Sequence, residues 1–485
     1  MVPGSWWRDL GPDGLGRLRD GEGRISVSVL TPVSVVAASE NLGVDVAANA
    51  LSPVATLLAF GLGAALNQSF IVGGTNVSVA DGVLVVFLVW ALSRRDAILP
   101  VPAFVFFGAV TVLSICAALV ICPLTLGLAA DEEGLVSGLI RLVVALLYVI
   151  GGVNAALAGG FRPLLFGFLV SSTAAALLGI ANSLVPSAGL AWINWGVTSR
   201  LRGFMNDPNF FAVLQCVALV AVVHMPGILR AVKALIAAAL VMSVALSGSK
   251  TGAVTLVAVL VVSCVVAILV SDTRRQGTAL RSLGLLFGLG VGIGAIAIMW
   301  SVIVRGLTDL AEWVSPVQRL LPLLEGGGLS EDGSGRTSAW VDGLRVVEAS
   351  PLVGVGVGNY GNANQAINAT ELLAHNGFVQ WAAEWGLALA LVFVAFVLAL
   401  VIGPYRRPRA GDFAAASQVM SRVAAVMVVP LLVGSVGLSL NNARVFWVLV
   451  GALMYWSTRG VPDRRRSAIG AQRGAVASGV SRGLR

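Results

Sequence analysis

Only two histidines occur in 485 residues, and one of them, His375, opens the long apolar run of ELLAHNGFVQWAAEWG with Asn376 beside it. An imidazole titrates near neutrality and is the usual side chain for a general base, so a functional role for His375 outweighs that of a satisfied interfacial histidine. His224 lies at the end of another apolar run and has no companions. Cations recur at similar thresholds. In LSGSKTGAV, Lys250 stands at a helix start with Ser249 and Thr251 as candidate caps, and a helix N-terminus reinforced by a lysine attracts anions. In GRTSAWVDGL, Arg336 opens a helical pattern carrying Trp340, Leu344 and Val347. In RLRGFMNDPNFFA, Arg202 precedes Asp207-Pro208-Asn209, which reads equally as a helix start capped by Asp207 or Asn209 and as part of a site.

Two patterns imitate other chemistry. SGSK followed by KTG resembles the SxxK and KTG motifs of penicillin-binding enzymes, but both share Lys250 and lack the α/β domain those enzymes need. A phosphate-binding P-loop fails because Val244 and Ser249 occupy its glycine positions. Gly356, Gly358 and Gly361 satisfy GxGxxG without the preceding strand or βαβ unit of a dinucleotide site, so close backbone approach or flexibility is the expected role.

The elements that position these groups are membrane helices. Hydrophobic residues make up 57% of the chain and charged ones 12%, with mean hydropathy +0.90, against roughly 25% charged in a soluble domain. Apolar runs lie near 54–72, 77–93, 101–121, 136–158, 163–182, 209–224, 229–247, 251–270, 282–304, 376–402, 414–436 and 444–458. They lack barrel-type alternation, so the expected fold is an all-α polytopic membrane protein of about twelve transmembrane helices, residues 54–458. The net charge of +8 comes largely from short arginine clusters between apolar runs, which report orientation and not nucleic-acid binding. With both ends cytosolic, the inner loops hold Arg94, Arg95, Arg162, Arg230, Lys233, Arg274, Arg275, Arg281, Arg406, Arg407 and Arg409. The polar tail 1–53 and the basic tail 459–485 then face the cytosol, the first without a signal peptide. One long loop, about 305–375, faces outward and carries an amphipathic helix. Arg200, Arg202, Lys250, Arg305, Arg319, Arg336, Arg345 and Arg444 oppose the orientation rule, and His375 shares their side. Cys116, Cys122, Cys216 and Cys264 have no metal-ligand spacing and read as small core residues.

The order RGFMNDPN, SGSKTG, GRTSAW, SPLVGVGVGNYG and AHNGFVQWAAEWG resembles the O-antigen ligase and polymerase family of surface-polysaccharide enzymes over about 200–447, most closely over 336–386. The resemblance implies a GT-C-like, membrane-embedded glycosyltransferase of about twelve helices acting at the outer face of the cytoplasmic membrane. It implies transfer of a glycan from a polyprenyl-diphosphate donor to a sugar hydroxyl of a glycan or glycolipid acceptor, with neither cofactor nor metal. Arg336 would contact the diphosphate with Lys250 and Arg202, and His375 would act as base. Asn376, Asp207, Asn209 and Glu384 would support them. Lys250 replaces a common arginine of the family and cannot form its bidentate fork. A flippase or other polysaccharide transporter is the alternative, disfavoured because the charges gather on one side and no inverted repeat is evident.

Overall fold

A computed structural model describes residues 52–69, 78–185, 189–195, 199–270, 305, 308–309, 315–324, 335–406 and 412–458, all within the unit Leu51–Arg485. Every expected apolar run carries a helix except 282–304, which lies outside the described residues with residues 1–51 and 459–485 of the expected tails. In chain order the first helices are α1 (Pro53–Ala65), α2 (Val79–Leu92), α3 (Val101–Leu126, with a π-turn over Ala117–Ile121), α4 (Glu132–Leu157) and α5 (Phe161–Leu184). A two-residue antiparallel ladder follows, β1 (Asn194–Trp195) against β2 (Arg200–Leu201), a small departure from the all-α expectation. Then come α6 (Pro208–His224), α7 (Arg230–Leu246) and α8 (Lys250–Val270).

After two single turns, Ser315–Gln318 and Leu321–Leu324, the longer helices are α9 (Arg336–Ala349), α10 (Tyr360–Asn368), α11 (Gly377–Trp385), α12 (Leu387–Arg406), α13 (Asp412–Gly434) and α14 (Arg444–Thr458). The run expected as one span over 376–402 is two helices. Gly386 breaks it at φ +81°, where a Cβ would strike the Leu352 carbonyl, and the Leu387 N–H leaves the helical ladder to donate to the Pro351 carbonyl at 2.8 Å. Five described helices are long and apolar enough to cross a membrane: Val101–Leu126, Glu132–Leu157, Phe161–Leu184, Leu387–Arg406 and Ser417–Gly434. Pro53–Ala65, Val79–Leu92 and Pro208–His224 are apolar but shorter than the roughly 20 residues a span requires.

Glycines set the closest helix crossings. A Cβ on Gly152 would strike the Val448 carbonyl, and one on Gly451 the Val149 carbonyl, so α4 and α14 meet backbone to backbone. Gly63 and Gly167 do the same for α1 and α5, against Leu164 and Phe60. Without a hydrophobic force between helices in lipid, such small-residue contacts supply close packing. Rings fill the space around α11: Trp381, Trp385, Phe393 and Phe446 interlock with centroids 5.1 to 6.2 Å apart. Cys122 and Cys216 are buried as expected, whereas Cys116 is exposed on an apolar helix.

Candidate functional site

His375 occupies the turn before α11. Its backbone is left-handed, φ +46°, while Asn376 behind it caps the helix, its Oδ1 accepting from the N–H groups of Phe378 and Val379 at 3.0 and 3.2 Å. The Gly377 N–H points toward the turn that follows α13, bonding to the carbonyls of Ser435 at 2.7 Å and Leu438 at 3.0 Å. Asn376 therefore fixes where His375 stands. Partial burial and the positive charge of Arg336 hold the His375 pKa below the ordinary histidine value, against an opposing pull from Asp207. The imidazole is consequently neutral at physiological pH, the protonation state of a base. Arg336 and Asp207 are thus the two charges that act on His375.

Arg336 is the first residue of α9, whose buried stripe is Ala339, Gly343 and Val346, with Leu344 half exposed. Its Nη1 donates to Thr251 Oγ1 at 3.0 Å, so residues 85 positions apart meet. Thr251 follows Lys250, which is buried at the start of α8 with 4% of its surface accessible. Ser249 caps this helix, its Oγ accepting from the Gly252 N–H at 2.9 Å, and Thr251, expected as an alternative cap, instead receives the guanidinium. A cavity of about 270 Å³ is lined by Arg336, Thr251, Trp340 and the turn residues Val436 and Gly437.

Asp207 caps α6, accepting from the N–H groups of Asn209 and Phe210 at 2.8 Å each. Asn209 Oδ1 accepts from Arg200 Nη2 at 2.8 Å, and Arg200 Nε donates to the Ser247 carbonyl, also at 2.8 Å. Arg200 is thus the arginine that ties the NDPN turn to the Lys250 loop. Arg202, the arginine expected at the anion site, donates to the Trp192 carbonyl at 3.1 Å and lies over the Trp195 ring at 5.9 Å. Sequence spacing alone does not separate the two.

Glu384 is buried and accepts from Gln380 Nε2 at 3.0 Å, with the Gly358 N–H as a further donor. The Val355 and Gly356 N–H groups bond to the carbonyls of Ala383 and Glu384 at 2.8 and 3.1 Å. Gly354, Gly356 and Gly358 all have φ between +70° and +90°, and a Cβ at any of them would collide with backbone. The glycine loop is therefore a strap seated on the end of α11, which accounts for its composition by close approach. A further cluster escaped the sequence because 363 residues separate its members: Arg444 forks onto Asp81 with two bonds of 2.9 Å, and Tyr148 donates to the same carboxylate at 2.8 Å. A solitary acid and a solitary arginine, each opening an apolar run, were its signal. Among the described residues no group of three or more His, Cys, Asp or Glu side chains has a metal-holding arrangement.

Residues 234–394 match the sequence model of the O-antigen ligase family. This stretch is an O-antigen ligase family domain. It contains Lys250, Arg336, His375, Asn376 and Glu384, whereas Arg202, Asp207 and Asn209 precede it. The match and the long apolar helices together support a membrane protein, and a ligase or polymerase type of function in general. No curated protein matches the chain.

Proposed function

We propose that the protein transfers a glycan from a polyprenyl-diphosphate donor to a sugar hydroxyl of a glycan or glycolipid acceptor, at the outer face of the cytoplasmic membrane. The scaffold in this proposal is a GT-C-like bundle of about twelve spans with both termini cytosolic. Its strongest support is the Arg336–Thr251 bond of 3.0 Å, which sets the guanidinium beside the start of the Lys250 helix and within electrostatic reach of His375. The acceptor oxygen attacks the anomeric carbon, the bond from that carbon to the diphosphate oxygen breaks, and its electron pair leaves on the diphosphate. Arg336 and Lys250 stabilise that growing charge in a site with little water. His375, neutral at physiological pH, takes the hydroxyl proton, a contribution of about 10²–10⁴-fold. Asp207 and Asn376 hold the surrounding turns.

The test pairs donor binding with transfer, using purified protein and a lipid-linked repeat unit. Arg336→Ala and Lys250→Ala should weaken donor binding and lower transfer. His375→Ala should bind donor normally and transfer at least about a hundredfold more slowly. An active His375→Ala enzyme, or Arg336→Ala with unchanged donor affinity, overturns the assignment.

A further inference from the structure

A second cavity, of about 220 Å³, is lined in part by Asn441, Asn442 and Arg444, which follow the Gly437 turn in the chain, and the transfer chemistry above does not use it. Its polar lining comes chiefly from Arg141 and Tyr148 of α4, Asn206, Asn441 and Arg444. It adjoins the site already described at two points. Asn206 immediately precedes Asp207, whose charge is felt at His375, and Asn441 Oδ1 lies 3.4 Å from where a Cβ on Gly377 would be, two residues beyond His375. The Asn441 carbonyl is fixed by Trp447 Nε1 at 2.9 Å.

Three features point to a ligand. First, the positive charges are not balanced. Arg444 is neutralised by its fork onto Asp81, whose oxygens also receive Tyr148 and the Ser78 N–H. Arg141 has no carboxylate within ion-pair distance among the described residues, and its hydrogen bond there runs from Nε to the Ser137 carbonyl of its own helix at 3.2 Å. Glu384 feels the charge of Arg141 but is engaged by Gln380 and Gly358, and it does not line the cavity. Second, Arg141 lies nine residues into α4, roughly 13 Å along the axis at 1.5 Å per residue. A cation that deep in an apolar helix is costly unless it serves a partner. Third, Ser69 Oγ and Asn441 Oδ1 are buried in the cavity's lining yet make no hydrogen bond among the described residues, and buried polar atoms without partners are uncommon.

A charge to be matched, amides and hydroxyls to be satisfied, and the Trp447 ring at one wall together describe a sugar ring that carries an anionic group. We infer that this cavity is a saccharide subsite of the transfer site, selecting an acidic sugar through Arg141. The inference rests on the proposed glycan transfer and adds the class of sugar. An isolated guanidinium in such surroundings forms charge-assisted, frequently bidentate bonds to a carboxylate, worth about twice a neutral pair.

The probes are trigalacturonate and its methyl ester, the same trisaccharide without charge, titrated calorimetrically into the full-length protein in nanodiscs. The acid should bind wild type at least about tenfold more tightly than the ester. Arg141→Gln should abolish that preference, Arg141→Lys should keep part of it, and His375→Ala should leave it unchanged. Equal affinity for acid and ester, no binding of either, or a preference surviving in Arg141→Gln overturns the subsite. Transfer from a lipid-linked donor is measured on the same samples. Acid preference without transfer would defeat the proposed reaction and leave the subsite standing, whereas transfer without acid preference would do the reverse.

Discussion

Replacing Thr251 by valine isolates what positions Arg336. The substitution exchanges Oγ1 for a methyl of similar size, keeps the Ser249 cap and Lys250, and removes the acceptor that holds Arg336 Nη1 at 3.0 Å. Gly437 gives the new methyl its space, since a Cβ there would sit 2.7 Å from Oγ1. A hydrogen bond to a charged group contributes about 1.5–3 kcal/mol. At about 1.4 kcal/mol per factor of ten, its loss should lower kcat/KM for the lipid-linked donor by roughly 10- to 150-fold. Thr251→Ser keeps the hydroxyl and should retain most activity. The assay is initial-rate transfer at subsaturating donor, with thermal unfolding in detergent confirming that each variant is folded. A folded Thr251→Val enzyme with wild-type kcat/KM would show that the guanidinium needs no anchor, and a Thr251→Ser enzyme as impaired as valine would show that the methyl matters instead of the hydroxyl.

Two further perturbations follow from the same geometry. Because Arg336 depresses the His375 pKa and Asp207 raises it, Arg336→Gln should move the His375 titration to higher pH and Asp207→Asn to lower pH. Asparagine caps a helix as well as aspartate does, so the second variant changes charge alone. Histidine NMR reads both shifts directly, since His224→Gln leaves one signal in the chain; shifts in the opposite directions would remove Arg336 and Asp207 from the site. Gly358→Ala should destabilise by at least about 2 kcal/mol, combining left-handed strain with a clash against the Gly134 carbonyl. Gly361→Ala, in α10 with nothing within 4 Å of the new Cβ, should be neutral or stabilising. Denaturation midpoints distinguish the two glycines of one motif.

The helices and the threshold position of His375 were legible because hydropathy and residue scarcity are local properties. Asn376 and Asp207 also read correctly as residues of helix starts, since capping depends on neighbours two or three positions away. What the sequence concealed depends on distant partners. Thr251 looks like a cap because caps and side-chain acceptors use the same hydroxyl, and only the arrival of Arg336 distinguishes them. Arg200 and Arg202 are equally basic and lie two residues apart, and their roles separate only once the short ladder turns one toward Asn209 and the other onto Trp195. The break at Gly386 is hidden by continuous apolar sequence on both sides, because its cause is the Leu352 carbonyl on another segment. Asp81 and Arg444 needed the fold to meet.

The reciprocal glycine contacts of α4 with α14, and of α1 with α5, bear on how such a protein must work mechanically. Where backbones touch without side chains between them, even a Cβ at these glycines would strike the facing carbonyl, so one helix cannot slide freely along the other. Each pair therefore behaves as a fused strut. Alternating-access transporters depend on halves that rock past one another around a fixed site; here the paired helices resist that displacement. For the proposed transfer, the consequence is that movement falls to the substrates, the lipid-borne donor arriving in the bilayer plane and the glycan product leaving into water, while these two helix pairs keep their register.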